Sequence, residues 1–186
     1  MARKNFGPNS FITPEPVLMV AAYDENGTPD IMNAAWGGVS GANQISMCLS
    51  PGHKTVKNIL ERKAFTVSFA TASTVVESDY VGIVSANEVP DKFARAGFTA
   101  TKSEYVDAPL VDQYPAAIEC ELLSYDADTH LMIGNIVNVS ADESVLTDGA
   151  IDLGKLQPIT YDGMNHNYNV IGAVVGKAFA DGAKLK

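Results

Sequence analysis

Basic charge is what this sequence has least of. Thirteen Lys and Arg stand against twenty-two Asp and Glu in 186 residues, a net charge of −9 with His neutral. A nucleic-acid binder draws most of its affinity from a basic face, and this chain has none to spare. Adhesion to anionic membrane surfaces fails on the same ground. Long apolar runs are missing too: residues 17–23 and 170–175 are far too short to cross a bilayer. Asn5, Gly7, Pro8, Asn9 and Ser10 stand where a secretory leader needs apolar residues. The expectation is a soluble, cytoplasmic protein. There are two cysteines, Cys48 and Cys120, far apart, in apolar text and outside any CxxC pair. Both are expected as free, buried thiols. His53, His130 and His166 are dispersed, without metal-ligand spacing. No G-x-G-x-x-G unit announces a Rossmann domain, and no G-x-S-x-G elbow announces a hydrolase.

What remains is an ordinary globular balance, 46% hydrophobic and 19% charged. The length suits one domain over residues 1–186. Residues 17–23 read as a buried strand, and Asn26-Gly27 as a tight hairpin turn with both residues at positive φ. The return strand is expected over 30–36, after which Gly37, Gly38 and Gly41 break the chain. Residues 45–49 and 65–69 read as further strands, with a helix between them carrying Val56, Ile59 and Leu60 on one face. Ser85 to Glu88 fits a capping box that opens a helix. Residues 116–125 and 131–139 form a second hairpin about Asp126-Ala127-Asp128-Thr129, and 158–161 is short and extended. Many short strands, two hairpins and few helices predict a mainly β fold, an antiparallel barrel with attached helices.

Two stretches carry candidate chemistry. Ser50-Pro51-Gly52-His53-Lys54-Thr55 places donors between a strand and a helix. It is no P-loop: His53 stands where that motif needs Gly, and Cys48 occupies the upstream Gly position. The generic physics survives. A helix N-terminus offers unpaired amides and partial positive charge, to which Lys54, Thr55 and His53 add donors. Thr55 capping the helix beside a solvated lysine face is the other reading of these residues. The second stretch, Asn33-Ala34-Ala35-Trp36-Gly37-Gly38, sets the one Trp beside small residues that let a flat ligand approach the backbone. Trp36 filling a barrel end is its structural alternative.

In order along the chain, these stretches join others: Phe65-Thr66-Val67-Ser68, Ser85-Ala86, Asp91-Lys92-Phe93-Ala94-x-x-Gly97, Ala108-Pro109-Leu110, Ile118-Glu119-Cys120-Glu121-Leu122, Gly134-Asn135-Ile136-Val137 and Tyr168-x-x-x-Gly172. The set, from about residue 6 to 182, resembles the flavin reductase-like family of FMN-binding split β-barrels, and within it the flavoredoxin subgroup. Two departures stand out: Ser68 where the family usually has Asn, and His53 before the Lys.

The resemblance implies a Greek-key split barrel that dimerises with a second copy and holds FMN near the subunit interface. It assigns Lys54 and Thr55, with His53 beside them, to the phosphate. Asn33, Ala34, Ala35 and Trp36 would line the flavin, and Leu49 and Ser50 end the strand that would sit under the ring. Ser68, Phe69, Ala70 and Ser85 would touch the ring or the ribityl chain. It implies an oxidoreductase fed by NAD(P)H or a redox protein, with no catalytic acid or base of its own; a non-catalytic FMN-binding or sensing protein is the alternative.

Overall fold

The run after Val17 becomes strand β1 (Leu18–Tyr23), in a computed structural model that describes all 186 residues. Its residues alternate between two cores, which is why the strand is apolar throughout. Leu18, Val20 and Ala22 enter one cluster with Phe65 and Met132; Met19 and Ala21 enter another with Ile31, Phe93 and Phe98. β1 pairs with β2 (Pro29–Ala34) through a loop in which Asp24 Oδ1 accepts from the backbone N–H groups of Asn26 (2.9 Å) and Thr28 (2.8 Å). Only Gly27, at φ +81°, is left-handed there, so the turn is a longer Asp-anchored loop and not the two-residue turn expected.

The next segment departs from the sequence reading. Gly37, Gly38 and Gly41 belong to strand β3 (Gly37–Gly41), paired with β4 (Gln44–Cys48), and do not break the sheet. At Gly37 an added Cβ would lie 2.7 Å from Leu18 and 2.9 Å from Met47, so close packing selects glycine there. Helix α1 (Lys54–Arg62) follows, seating Val56 and Ile59 in the first core, and ends at a left-handed Lys63. Next come β5 (Ala64–Phe69) and helix α2 (Val75–Ile83), then the long ribbon β6 (Ala116–Asp126) and β7 (Leu131–Ala141).

The sheet order is β2-β1-β5-β6-β7-β4-β3, every neighbouring pair antiparallel. Register shifts after Ile133 and Ile136 bend the ribbon, and Gly134 leaves room for Phe65, whose Cζ would sit 2.4 Å from a Cβ there. The result is the half-barrel of an antiparallel split β-barrel with a few attached helices, as expected. Two short strands, Ile159–Asp162 and Asn167–Val170, pack beside it with Glu15–Pro16.

Two further expectations are corrected. Ser85 opens a turn, its Oγ accepting from the Asn87 N–H at 3.2 Å, and the helix begins only at Lys92 (Lys92–Arg95). Cys120 is buried, and burial pushes its thiol up to about 12, but Cys48, at the end of β4, is exposed. No helix is long and apolar enough to cross a membrane.

Candidate functional site

The exit of β4 fixes where α1 begins. The Leu49 N–H donates to the His130 carbonyl at 2.8 Å, and Tyr125 Oη donates to the Leu49 carbonyl at 2.9 Å. The chain then turns at Ser50, whose carbonyl accepts from the His53 N–H at 3.2 Å, while Asn87 Nδ2 ties down the Gly52 carbonyl at 3.0 Å. α1 starts without a side-chain cap and without an acid in its first turn, so its positive end is not neutralised from within.

That end opens on a pocket of about 320 Å³ formed with the end of α2 and the turn after it, where Asn33, His53, Lys54, Thr55 and Ser85 converge. Lys54 lies beside Glu25, Nζ to Oε2 3.2 Å, and that contact holds the Glu25 carboxyl below its ordinary range. His53 sits on the lip, and partial burial of its ring, then the charges of Lys92 and His130, lower its pKa. Asn33 and Gly82 also line an adjoining lobe of about 330 Å³ that contains Ala34 and Ala35. Gly82 has no alternative: a Cβ would lie 2.1 Å from Asn33 Nδ2, which donates to the Ser78 carbonyl at 3.1 Å. Ala35 in turn borders a third hollow of about 490 Å³, walled by Trp36, Cys48 and the N-terminal arm. The three hollows adjoin through these shared residues as one groove, running from the uncapped start of α1 to the half-exposed indole of Trp36 (58%).

Not all the expected residues reach it. Leu49 (1% exposed) and Phe69 pack in the first core, Ala70 in the second, and Ser68 is buried between β1 and β6. Ser50 shapes the turn, its Oγ 3.4 Å from the Gly52 N–H. Thr55 lines the pocket but does not cap the helix: Oγ1 donates to the buried carboxylate of Asp30 at 2.7 Å.

Other groove residues were not among the expected site residues. Tyr161 and His166 are joined by a 2.7 Å Oη–Nδ1 hydrogen bond, and Tyr168 donates to Asp79 Oδ1 at 2.7 Å. Burial, then the Asp79 bond, raises the Tyr168 phenol to about 12. Asp30 could have been found, as an acid inside an apolar strand; the role of Lys92 could not, because its place depends on the end of α2 and on Asp30, sixty-two residues earlier.

A split barrel crossed by a groove with a cationic cradle at one end and an indole at the other defines a class of β-barrel suited to an anionic, flat ligand. Residues 11–164 match the model of the flavin reductase like domain, and the chain belongs to that family. It is similar to the flavoredoxin of Desulfovibrio vulgaris (Miyazaki F), 37% identical, with a TM-score of 0.92 over 97% of this chain and 100% of that one. Flavoredoxin from Methanosarcina acetivorans shares the fold at 24% identity and TM-score 0.90, each chain covered in full. So does an FMN-binding protein from Thermus thermophilus solved with 1-cyclohex-2-enone, at 21% identity and TM-score 0.76 over 95% of this chain and 99% of that one.

Proposed function

We propose that the chain is an oxidoreductase that binds FMN in this groove and passes electrons from a reduced nicotinamide or a redox protein to an acceptor. One observation carries the reading: His53, Lys54, Ser85 and the uncapped start of α1 meet in a single pocket continuous with the lobe of Ala34 and Ala35. The donor set suits a phosphate, and the small side chains beyond it suit a flat ring. Bound there, the flavin would supply the hydride and electron chemistry. The chain's part is to hold the phosphate, keep the ring against the Asn33–Ala35 wall and leave the Trp36 end open. Membership of the flavin reductase like family, and likeness to a flavoredoxin at 37% identity, support this assignment.

The same reading includes a homodimer. β3 is an edge strand with Val39 82% exposed, and Trp36, Val137 and Val139 are exposed nearby, an apolar edge that a second copy would cover. Light scattering should give twice the 19.7 kDa of one chain; a monomer with FMN bound would remove this part.

The test of the function is a titration. Purified protein should take up FMN with bands near ~375 and ~450 nm, quenching the single Trp, and anaerobic NADH or NADPH should bleach it at catalytic rates. Lys54→Ala should weaken FMN about tenfold and leave riboflavin unchanged. Equal affinities for the two flavins, indifferent to Lys54, would place the phosphate elsewhere. Tight FMN binding with no bleaching by either nucleotide or by a reduced redox protein would leave a binding protein and no reductase.

A further inference from the structure

Beneath the cradle lies a group of polar side chains that the binding of a phosphate does not by itself require. Lys92 is 3% exposed, Asp30 5%, Thr55 1% and Asn58 0%. Lys92 Nζ donates to the carbonyls of Val81 and Val84, both at 3.1 Å, at the end of α2 and just past it. The ammonium also faces Asp30 Oδ1 at 3.6 Å, too long for a hydrogen bond. The other oxygen of Asp30 accepts from Thr55 Oγ1 at 2.7 Å and from Asn58 Nδ2 at 3.4 Å, both on α1. Asp30 Oδ1 and Asn58 Oδ1 are buried without any hydrogen-bond partner.

We propose that Lys92 is a positioning residue which, through Asp30, sets the separation of the two walls of the phosphate pocket. One wall is the start of α1, held by Asp30 from β2; the other is the end of α2, held by Lys92 from the first position of the helix Lys92–Arg95. The ammonium is placed by two carbonyls of one wall, and its charge draws the carboxylate that anchors the other. Lys92 also lines the pocket, so its charge reinforces the helix end that would face an anion. A pair kept only for stability has no need to tie together two elements that both line this pocket. Buried ion pairs are poor stabilisers in themselves, which makes a positional role the stronger account of this one.

This inference rests on the phosphate lying in that pocket. The test therefore titrates FMN and riboflavin in parallel into the wild type, Lys54→Ala, Lys92→Met and the double variant Asp30→Asn/Lys92→Met. The single Lys92 variant strands a buried carboxylate and can lose its fold for that reason. The double variant removes both charges and keeps an acceptor for Thr55, so it should fold cooperatively. In it FMN should weaken about tenfold while riboflavin stays within about twofold, so that the preference for the phosphorylated flavin is lost. FMN affinity within about twofold of wild type would overturn the proposal, as would equal losses for both flavins, which mark a general defect. If Lys54→Ala loses the preference and the double variant keeps it, the phosphate site stands and this role falls. If neither variant alters it, both fall. Should the double variant not fold, the wild type decides: the Lys92 ε-methylene resonance should move on binding FMN and not on binding riboflavin, and no FMN-specific movement would overturn the role.

Discussion

At the α1 end of the groove three polar side chains are held by neighbours: Lys54 by Glu25, Thr55 by Asp30, Lys92 by two carbonyls. At the other end Trp36 stands 58% exposed between the N-terminal arm and the β3 edge, with no hydrogen bond to fix it. Rigidity is concentrated where the invariant, charged part of a flavin nucleotide would sit. On the proposed reading, openness is left where an exchanging donor or acceptor would arrive. A cradle gains by preorganisation, because ordering flexible side chains on binding costs affinity; a surface that admits different partners does not.

The largest effect that would break this contrast is expected at Thr55. Thr55→Val keeps the shape and deletes the 2.7 Å donor to a buried carboxylate, leaving Asp30 Oδ2 with only Asn58 at 3.4 Å. The loss should be about 1–3 kcal/mol of stability, with FMN affinity falling alongside it, measured by urea unfolding and flavin titration. A variant as stable as the wild type would mean that the cradle end is no better fixed than the Trp36 end.

A smaller effect of opposite sign is expected at Glu25. Its carboxylate lies 3.2 Å from Lys54 Nζ and competes with any anion for that charge. Glu25→Gln should tighten FMN up to about fivefold and leave riboflavin alone, since an exposed, solvent-screened pair of this kind is weak. Weaker FMN binding in this variant would show that Glu25 positions Lys54 and does not compete.

How much of this was legible beforehand follows the range of the interactions. β1, α1 and the β6–β7 ribbon are written in local periodicity and turn residues, and they form where the sequence puts them. β3 was missed because three glycines carry no strand pattern; its pairing comes from β4 and from the tight contact of Gly37 with Leu18 and Met47. The convergence of Lys54 and His53 at one pocket was legible because strand-to-helix junctions have a local signature. The bond of the Thr55 hydroxyl to Asp30, twenty-five residues earlier, was not legible, because that signature cannot reveal which distant side chain lies beneath it. Lys92 was legible only as part of a resemblance, without a role. Leu49, Phe69 and Ala70 were carried over by position in a motif, and in this chain they pack in the cores.

The smallest effect, and the most local, concerns His53. In the free protein its pKa is lowered, by partial burial first and then by repulsion from Lys92 and His130. The native state therefore takes up a proton at lower pH than the unfolded chain, whose imidazole has its ordinary value near ~6.5. As pH falls through that value the unfolded state binds protons that the native state does not, so native stability declines until the folded pKa is reached. His53→Gln should remove that slice of the decline. A phosphate in the pocket reverses the balance, because a nearby dianion favours imidazolium where Lys92 disfavours it. The His53 midpoint, followed by NMR, should thus lie below the ordinary imidazole range in the free protein and move up when FMN binds, and riboflavin should leave it in place. Neutralising Lys92 in the Asp30→Asn/Lys92→Met protein should raise it as well, without any ligand. A midpoint indifferent to FMN would separate His53 from the phosphate and shrink the cradle to Lys54 and the helix end.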